Sequence, residues 1–194
     1  MTKEQVISYY ESQVHEDEVR SILEKAKQII EARVQLKDCA IILDIDETAL
    51  NNYYPFKQAG FPQDENHSIW HQLTSSTKVM PIKSTLDFYH YCLDRSLKVF
   101  FISARFAEYL EYTKQALRNA GYVDFEDVFV FPEDIEEYNS KDFKNFKAER
   151  RAYIESLGYK ILVSIGDQSS DLVGGYTLNT LQLPNYLYGE NSRF

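Results

Sequence analysis

Residues 40–54 read AIILDIDETALNNYY: four apolar residues, then three acids, Asp44, Asp46 and Glu47, within four positions. A short apolar run bounded by polar residues has the form of a strand buried on both faces, as in parallel sheets. Residues two apart in a strand share a side, so Asp44 and Asp46 are expected to project together, with Glu47 on the other face as a structural residue. Two carboxylates about 5 Å apart at an effective dielectric near 20 repel by roughly 3 kcal/mol. A bound cation would offset that repulsion.

Four later segments repeat the buried-strand pattern: 99–103, 128–131, 161–165 and, more weakly, 180–183. Helical patterns lie between them. Leu110, Thr113, Leu117 and Ala120 share a face and Gly121 follows as a stop; residues 141–157 follow Ser140, an N-cap residue type, and end before Gly158. Strands alternating with helices predict an α/β fold, a mostly parallel sheet covered on both faces, with ligands beyond the carboxyl ends of the strands. Ahead of this, residues 3–36 carry a helical stripe of Val19, Ile22, Leu23, Ala26, Ile29, Ile30 and Val34. Residues 51–80, with Asn51-Asn52, Pro55, Gly60, Pro62 and Trp70, break the rhythm and read as an insertion after the first strand. The organisation expected is one domain over 1–194: an N-terminal helical segment at 1–37, then a core at 38–194 carrying the insertion.

The 194 residues are 44% hydrophobic and 26% charged, an ordinary globular balance, with 15 Tyr and 12 Phe. A formal net charge of −9 disfavours nucleic acid and anionic lipid as partners. No segment has the length and hydropathy of a membrane span. Cys39 and Cys92 give no disulfide framework and read as small core residues. The N-terminal residues lack a signal pattern, so the chain as it stands reads as cytoplasmic, or as exported if a leader preceded it.

The polar groups expected at the strand ends are Asp44 and Asp46, Ser103 and Arg105, and Asp167 and Asp171 in GDQSSD. Lys147 joins them from the helical face that also carries Phe143, Ile154 and Leu157. A lysine there could equally snorkel past the core to water. Together these residues supply carboxylates, a hydroxyl and two cations, the set that phosphoryl transfer with a hard cation requires.

DIDET at 44–48 resembles the first motif of the haloacid dehalogenase (HAD) superfamily, DxDxT after an apolar strand. Ser103 fits the second motif, Lys147 the third, and Asp167 with Asp171 the GDxxxD form of the fourth. ILDIDETALNNYYPFKQAGF, AGYVDFEDV, KAERRAYIESLGYKI, GDQSSDL and LPNYLY resemble more closely the class B and plant-type acid phosphatases and vegetative storage proteins, subfamily IIIB. That resemblance implies a three-layer Rossmann-like core with a small cap in the insertion, and a phosphomonoesterase of small phosphate esters, nucleotide and aromatic phosphates among them. It implies Asp44 as nucleophile forming an aspartyl-phosphate and Asp46 as general acid and base. Mg2+ would be held by Asp44, the Asp46 carbonyl and Asp167, with Asp171 orienting that shell; Ser103, Lys147 and Arg105 would bind the phosphate. A carboxylate at position 46 separates turning-over phosphatases from dehalogenases and from the ion pumps with Thr there. Ser103-Ala104-Arg105 replaces the more usual Thr-Gly-Arg, keeping the hydroxyl. The alternatives are a storage or interaction protein on the same fold, or a phosphotransferase or protein phosphatase.

Other signals are weaker. His67 and His71 stand four apart in HSIWH, but Ser68 occupies the place a metalloprotease gives to Glu. Gly174-Gly175 lacks the spacing of a dinucleotide fingerprint. Tyr54, Phe56 and Trp70 are candidates to stack on a leaving group, or to form the small core of the insertion.

Overall fold

A computed structural model describes residues 1–62, 79–132 and 140–189. The apolar run that opens the site stretch forms β1 (Cys39–Leu43), and all five of its residues are buried. The other core strands are β4 (Lys98–Phe106), β5 (Asp127–Phe131), β6 (Lys160–Gly166) and β7 (Thr180–Gln182); together with β1 they make a parallel sheet in the order β5-β4-β1-β6-β7. A small antiparallel pair, β2 (Leu50–Asn51) and β3 (Met80–Pro81), brackets the insertion.

Alternation within the strands builds the three layers. Ile41, Leu43, Val99 and Phe101 pack on one face with Leu23 and Ile30 of α2 (Val14–Glu31), Phe88 of α4 (Lys83–Asp94) and Leu117 of α5 (Leu110–Asn119). Ala40, Ile42, Phe100 and Ile102 turn the other way, against Phe146 and Ile154 of α6 (Ser140–Ser156). Both faces of β1 are thus covered, which is why its run is continuous rather than alternating. The expected α/β class, sheet and strand set are present.

Three details differ from expectation. The N-terminal segment is two helices, α1 (Lys3–Glu11) and α2, because Ser12 adopts extended backbone and ends the first. Val34 lies beyond α2 and is fully exposed, so it leaves the stripe. Leu157 is 52% exposed because α6 ends one residue earlier and Gly158 (φ +97°) turns the chain away. In the insertion, α3 (Tyr53–Gln58) buries Phe56 against Tyr188 at 5.2 Å, whereas Tyr54 is exposed; Phe56 therefore belongs to a packed core. His67, Trp70 and His71 lie outside the described residues.

α4 begins without a side-chain cap of its own. The Glu16 carboxylate from α2 caps it instead, accepting from Lys83 N and Ser84 N at 3.0 Å each and from Ser84 Oγ at 2.7 Å. An acid at a helix N-terminus satisfies orphan donors and complements the dipole, so this contact ties α2 to the start of α4.

Candidate active site

The sheet ends at Leu43, and there the chain turns sharply. Asp44 N donates to Ile165 O at 2.9 Å, tying the end of β1 to β6; Ala49 N and Leu50 N both return to Ile45 O at 2.8 Å. Glu47 sits in the left-handed region, φ 56°, at the tip of this turn. The two aspartates therefore leave the period-two geometry, and their carboxylates meet different partners. Each like charge has its own organic cation, so the repulsion expected between them is relieved without a shared ion.

Asp44 Oδ1 accepts from Lys147 Nζ at 2.7 Å, and the same ammonium donates to Asp171 Oδ1. Lys147 is 3% exposed, so the lysine on the sheet-facing side of α6 does not snorkel to water. Burial alone would lower its pKa, but Asp171 and Asp44 outweigh that and hold it above its ordinary value. Asp44 is pushed well above the usual carboxylate range by burial and then by Asp171, with Lys147 opposing.

Asp46 faces Arg105 instead. Arg105 Nε donates to Asp46 Oδ2 at 2.9 Å and Nη2 to Oδ1 at 2.7 Å, a bidentate pair shut away from water. Nη1 donates to Thr113 Oγ1 at 3.3 Å, and Asn52 Nδ2 adds a 2.9 Å bond to Asp46 Oδ1. The guanidinium expected to bind phosphate is thus occupied by Asp46. Ser103 is buried beside it, its Oγ accepting Arg105 N at 3.1 Å. Regular pairing of β4 with β5 lapses between Ile102 and Phe106, the stretch that carries both residues. Thr113, a polar residue on an apolar stripe, is explained by this contact.

Asp167 and Asp171 arrive after β6. Asp167 Oδ2 accepts from Asn185 Nδ2 at 2.7 Å and from Gln168 Nε2. Asp171 Oδ2 accepts Gln168 N at 3.0 Å, while its own backbone carbonyl takes Ser164 Oγ at 2.9 Å and Arg151 Nη1 at 3.0 Å. Gly166 lets the Asp171 carboxyl lie against the strand, since a Cβ there would collide with it. Burial, then Asp171, raises Asp167 to about 7, partly countered by the two amides. Glu47, fully buried, accepts Asn52 N at 3.0 Å and is raised by burial to about 8.

Asp44, Asp167 and Asp171 each place an oxygen within 4.8 Å of the other two. Both Asp171 oxygens are engaged, but no described residue donates to Asp44 Oδ2 or Asp167 Oδ1. Two open carboxylate oxygens on otherwise buried residues fit a hard divalent cation. Every sequence-predicted site residue comes to one end of the sheet. Asn52, Thr113, Arg151, Ser164, Gln168 and Asn185 were not singled out as site residues. Asn52, Arg151, Gln168 and Asn185 left a trace in the sequence, as polar residues inside the motif stretches, and Thr113 as a polar residue on an apolar stripe.

The chain matches the family described as HAD superfamily, subfamily IIIB (Acid phosphatase) over residues 1–191. It is 28% identical over 150 residues to the stem 28 kDa glycoprotein of Glycine max, covering 76% of this chain and 58% of that protein. It is 30% identical over 152 residues to acid phosphatase 1 of Solanum lycopersicum, covering 76% and 57%. The chain therefore spans a little over half the length of these relatives. Among solved structures, the class C acid phosphatase from Bacillus anthracis superposes with a TM-score of 0.72 at 18% identity, over 95% of this chain and 84% of that one.

Proposed function

Because this chain belongs to subfamily IIIB of the HAD superfamily, the acid phosphatases, we propose that it is a Mg2+-dependent phosphomonoesterase of small phosphate esters working through Asp44. The observation that carries the reading is Asp44 itself. Its carboxylate stands at the end of the central strand, 2.7 Å from Lys147, in reach of the Asp167 and Asp171 carboxylates, with one oxygen open.

Mg2+ would be held by Asp44 and Asp167, the two side chains with an open oxygen, with the Asp46 carbonyl as a further oxygen; bound there it supplies positive charge against the phosphate oxygens. Asp171 has both oxygens committed and positions Lys147 and the loop. The Asp44 carboxylate attacks phosphorus as the bond to the leaving oxygen breaks, giving an aspartyl-phosphate. Lys147 and Ser103 face the phosphate oxygens. Asp46 gives a proton to the leaving alkoxide, then takes one from the water that cleaves the aspartyl-phosphate and releases inorganic phosphate. For either transfer the Asp46 carboxyl turns from Arg105, so opening of that pair is part of the cycle. Until it opens, three of the five Arg105 N–H donors are held by Asp46 and Thr113. A storage role on the same fold is disfavoured by the retention of Asp44 together with its cation partner.

A panel of aryl, nucleoside and sugar phosphates assayed with Mg2+ tests the proposal. Hydrolysis that a chelator removes and Mg2+ restores is expected, with a loss of more than about 10^4-fold in Asp44→Asn, since the covalent route disappears. Robust turnover by Asp44→Asn would sink the mechanism, and silence across the panel would return the storage reading.

A further inference from the structure

We infer that Asn185 is the positioning residue that presents Asp167 to the cation. The inference rests on the metal-assisted reading of the site above, and extends it to a segment with no assigned role. Asn185 lies eighteen residues beyond Asp167, in LPNYLY at 183–188, and is fully buried. Its Nδ2 donates to Asp167 Oδ2 at 2.7 Å, and its Oδ1 accepts Leu187 N at 2.8 Å. One amide therefore closes a local turn with its oxygen and reaches the site with its nitrogen.

The consequence is a choice between two otherwise equivalent oxygens. Asn185 and Gln168 both donate to Oδ2, and no described residue donates to Oδ1. Both donors thus engage one oxygen and leave the other for a cation in the cluster that Asp167 forms with Asp44 and Asp171. The donors are neutral amides, so they orient the carboxylate without bringing a positive charge to compete with a metal ion, as a lysine there would. Partners of this kind commonly set metal affinity by about 10–100-fold.

The segment is anchored on both sides of Asn185. Leu183 N donates to Gly166 O at 2.9 Å, and Leu187 is buried with Val6, Tyr53, Phe56 and Phe61. Tyr186 N donates to the Tyr10 hydroxyl at 3.2 Å, which ties the segment to α1. These anchors allow a control. Tyr10→Phe removes a hydrogen bond to the same segment while leaving the Asn185 amide on Asp167. Asn185→Ser keeps an oxygen able to accept Leu187 N but is too short to reach Asp167.

Mg2+ titrated calorimetrically into the metal-stripped protein decides the matter, with no substrate present. Asn185→Ser is expected to weaken Mg2+ binding about 10–100-fold, and Tyr10→Phe to stay within about twofold of wild type. Asn185→Thr, which fills more of the amide's space, repeats the test if the serine variant does not fold. Wild-type affinity in an Asn185 variant, or equal weakening in Tyr10→Phe, overturns the positioning role and leaves the metal site standing. Absence of Mg2+ binding by the wild-type protein overturns the metal reading itself, and this inference with it.

Discussion

The two ends of the central sheet both carry charge, on different terms. At the carboxyl end, Asp44, Asp171, Lys147, Asp46 and Arg105 are all at most 5% exposed, and each ion meets its partner at hydrogen-bond distance. At the amino end, exposed Lys37, Asp38, Arg95 and Lys98 line a cleft of about 390 Å3 together with half-buried Leu36 and Tyr159. There Lys98 meets Glu126 at 2.6 Å, but the side chains are 46% and 34% exposed. Desolvation separates the two cases. A charge removed from water costs several kcal/mol unless a partner compensates it, whereas a charge left in water pays almost nothing and gains as little. Distance alone would rank the Lys98–Glu126 pair above Lys147–Asp44; burial reverses the order.

The sharpest way to break that comparison is Lys147→Met, which strands the Asp44 and Asp171 carboxylates in the interior. A loss of about 3–5 kcal/mol is expected in the metal-free protein, read by urea denaturation with a chelator present. A loss below about 1 kcal/mol would mean that the buried pair is energetically no different from the surface one. Arg105→Met should cost somewhat less, about 3 kcal/mol, because Asn52 continues to donate to Asp46. Adding Asp46→Asn to that variant should recover much of the loss, since the stranded charge is then gone. Additive losses in the double variant would show that Arg105 acts through packing rather than through Asp46.

What the sequence revealed and concealed follows the same division. β1 was readable because burial on both faces leaves an unbroken apolar run, and the strand-end acids were readable because charges interrupt such runs abruptly. Lys147 fell on the sheet-facing side of its helix by spacing alone, although the pattern could not separate a paired lysine from a snorkelling one. Its two carboxylate partners lie 103 and 24 residues away, and no local rule supplies them. Arg105 was legible as a polar residue near the end of its strand, but its engagement with Asp46 depends on the turn at Glu47, whose left-handed backbone no residue-type preference announces. Asn185 was the least legible. A single amide in a loop is ordinary, and its significance comes only from the meeting of that loop with Asp167.

A pH comparison tests the carboxyl end without changing a residue. Burial and Asp171 hold Asp167 at about 7 and push Asp44 upward as well. Between the unfolded carboxylate value near 4 and about 7, the metal-free native state keeps protons that the unfolded chain has lost. Its stability therefore falls as pH rises through that window, and Glu47, raised to about 8, carries the fall beyond it. Mg2+ must displace those protons to bind. The rise in Tm on adding saturating Mg2+ should therefore be larger near pH 7.5 than near pH 5, by a few degrees. An equal shift at both values would mean that the open oxygens are ionised throughout, and that burial does not govern this end of the sheet.

The smallest expected effect is at the other end. Lys98→Ala removes an ion pair of good length, yet both side chains already hold much of their hydration, so the exchange returns to water what water had largely kept. The loss should lie between about 0 and 1 kcal/mol, and should shrink further as added salt screens the pair. Phosphatase turnover should be unchanged, because Lys98 begins the strand whose opposite end carries Ser103 and Arg105. A loss approaching that of Lys147→Met would require the amino-end cleft to be far less hydrated than its exposure indicates. Burial would then not be the variable that separates the two ends, and the affinity of the cleft for anions would become the next quantity to measure.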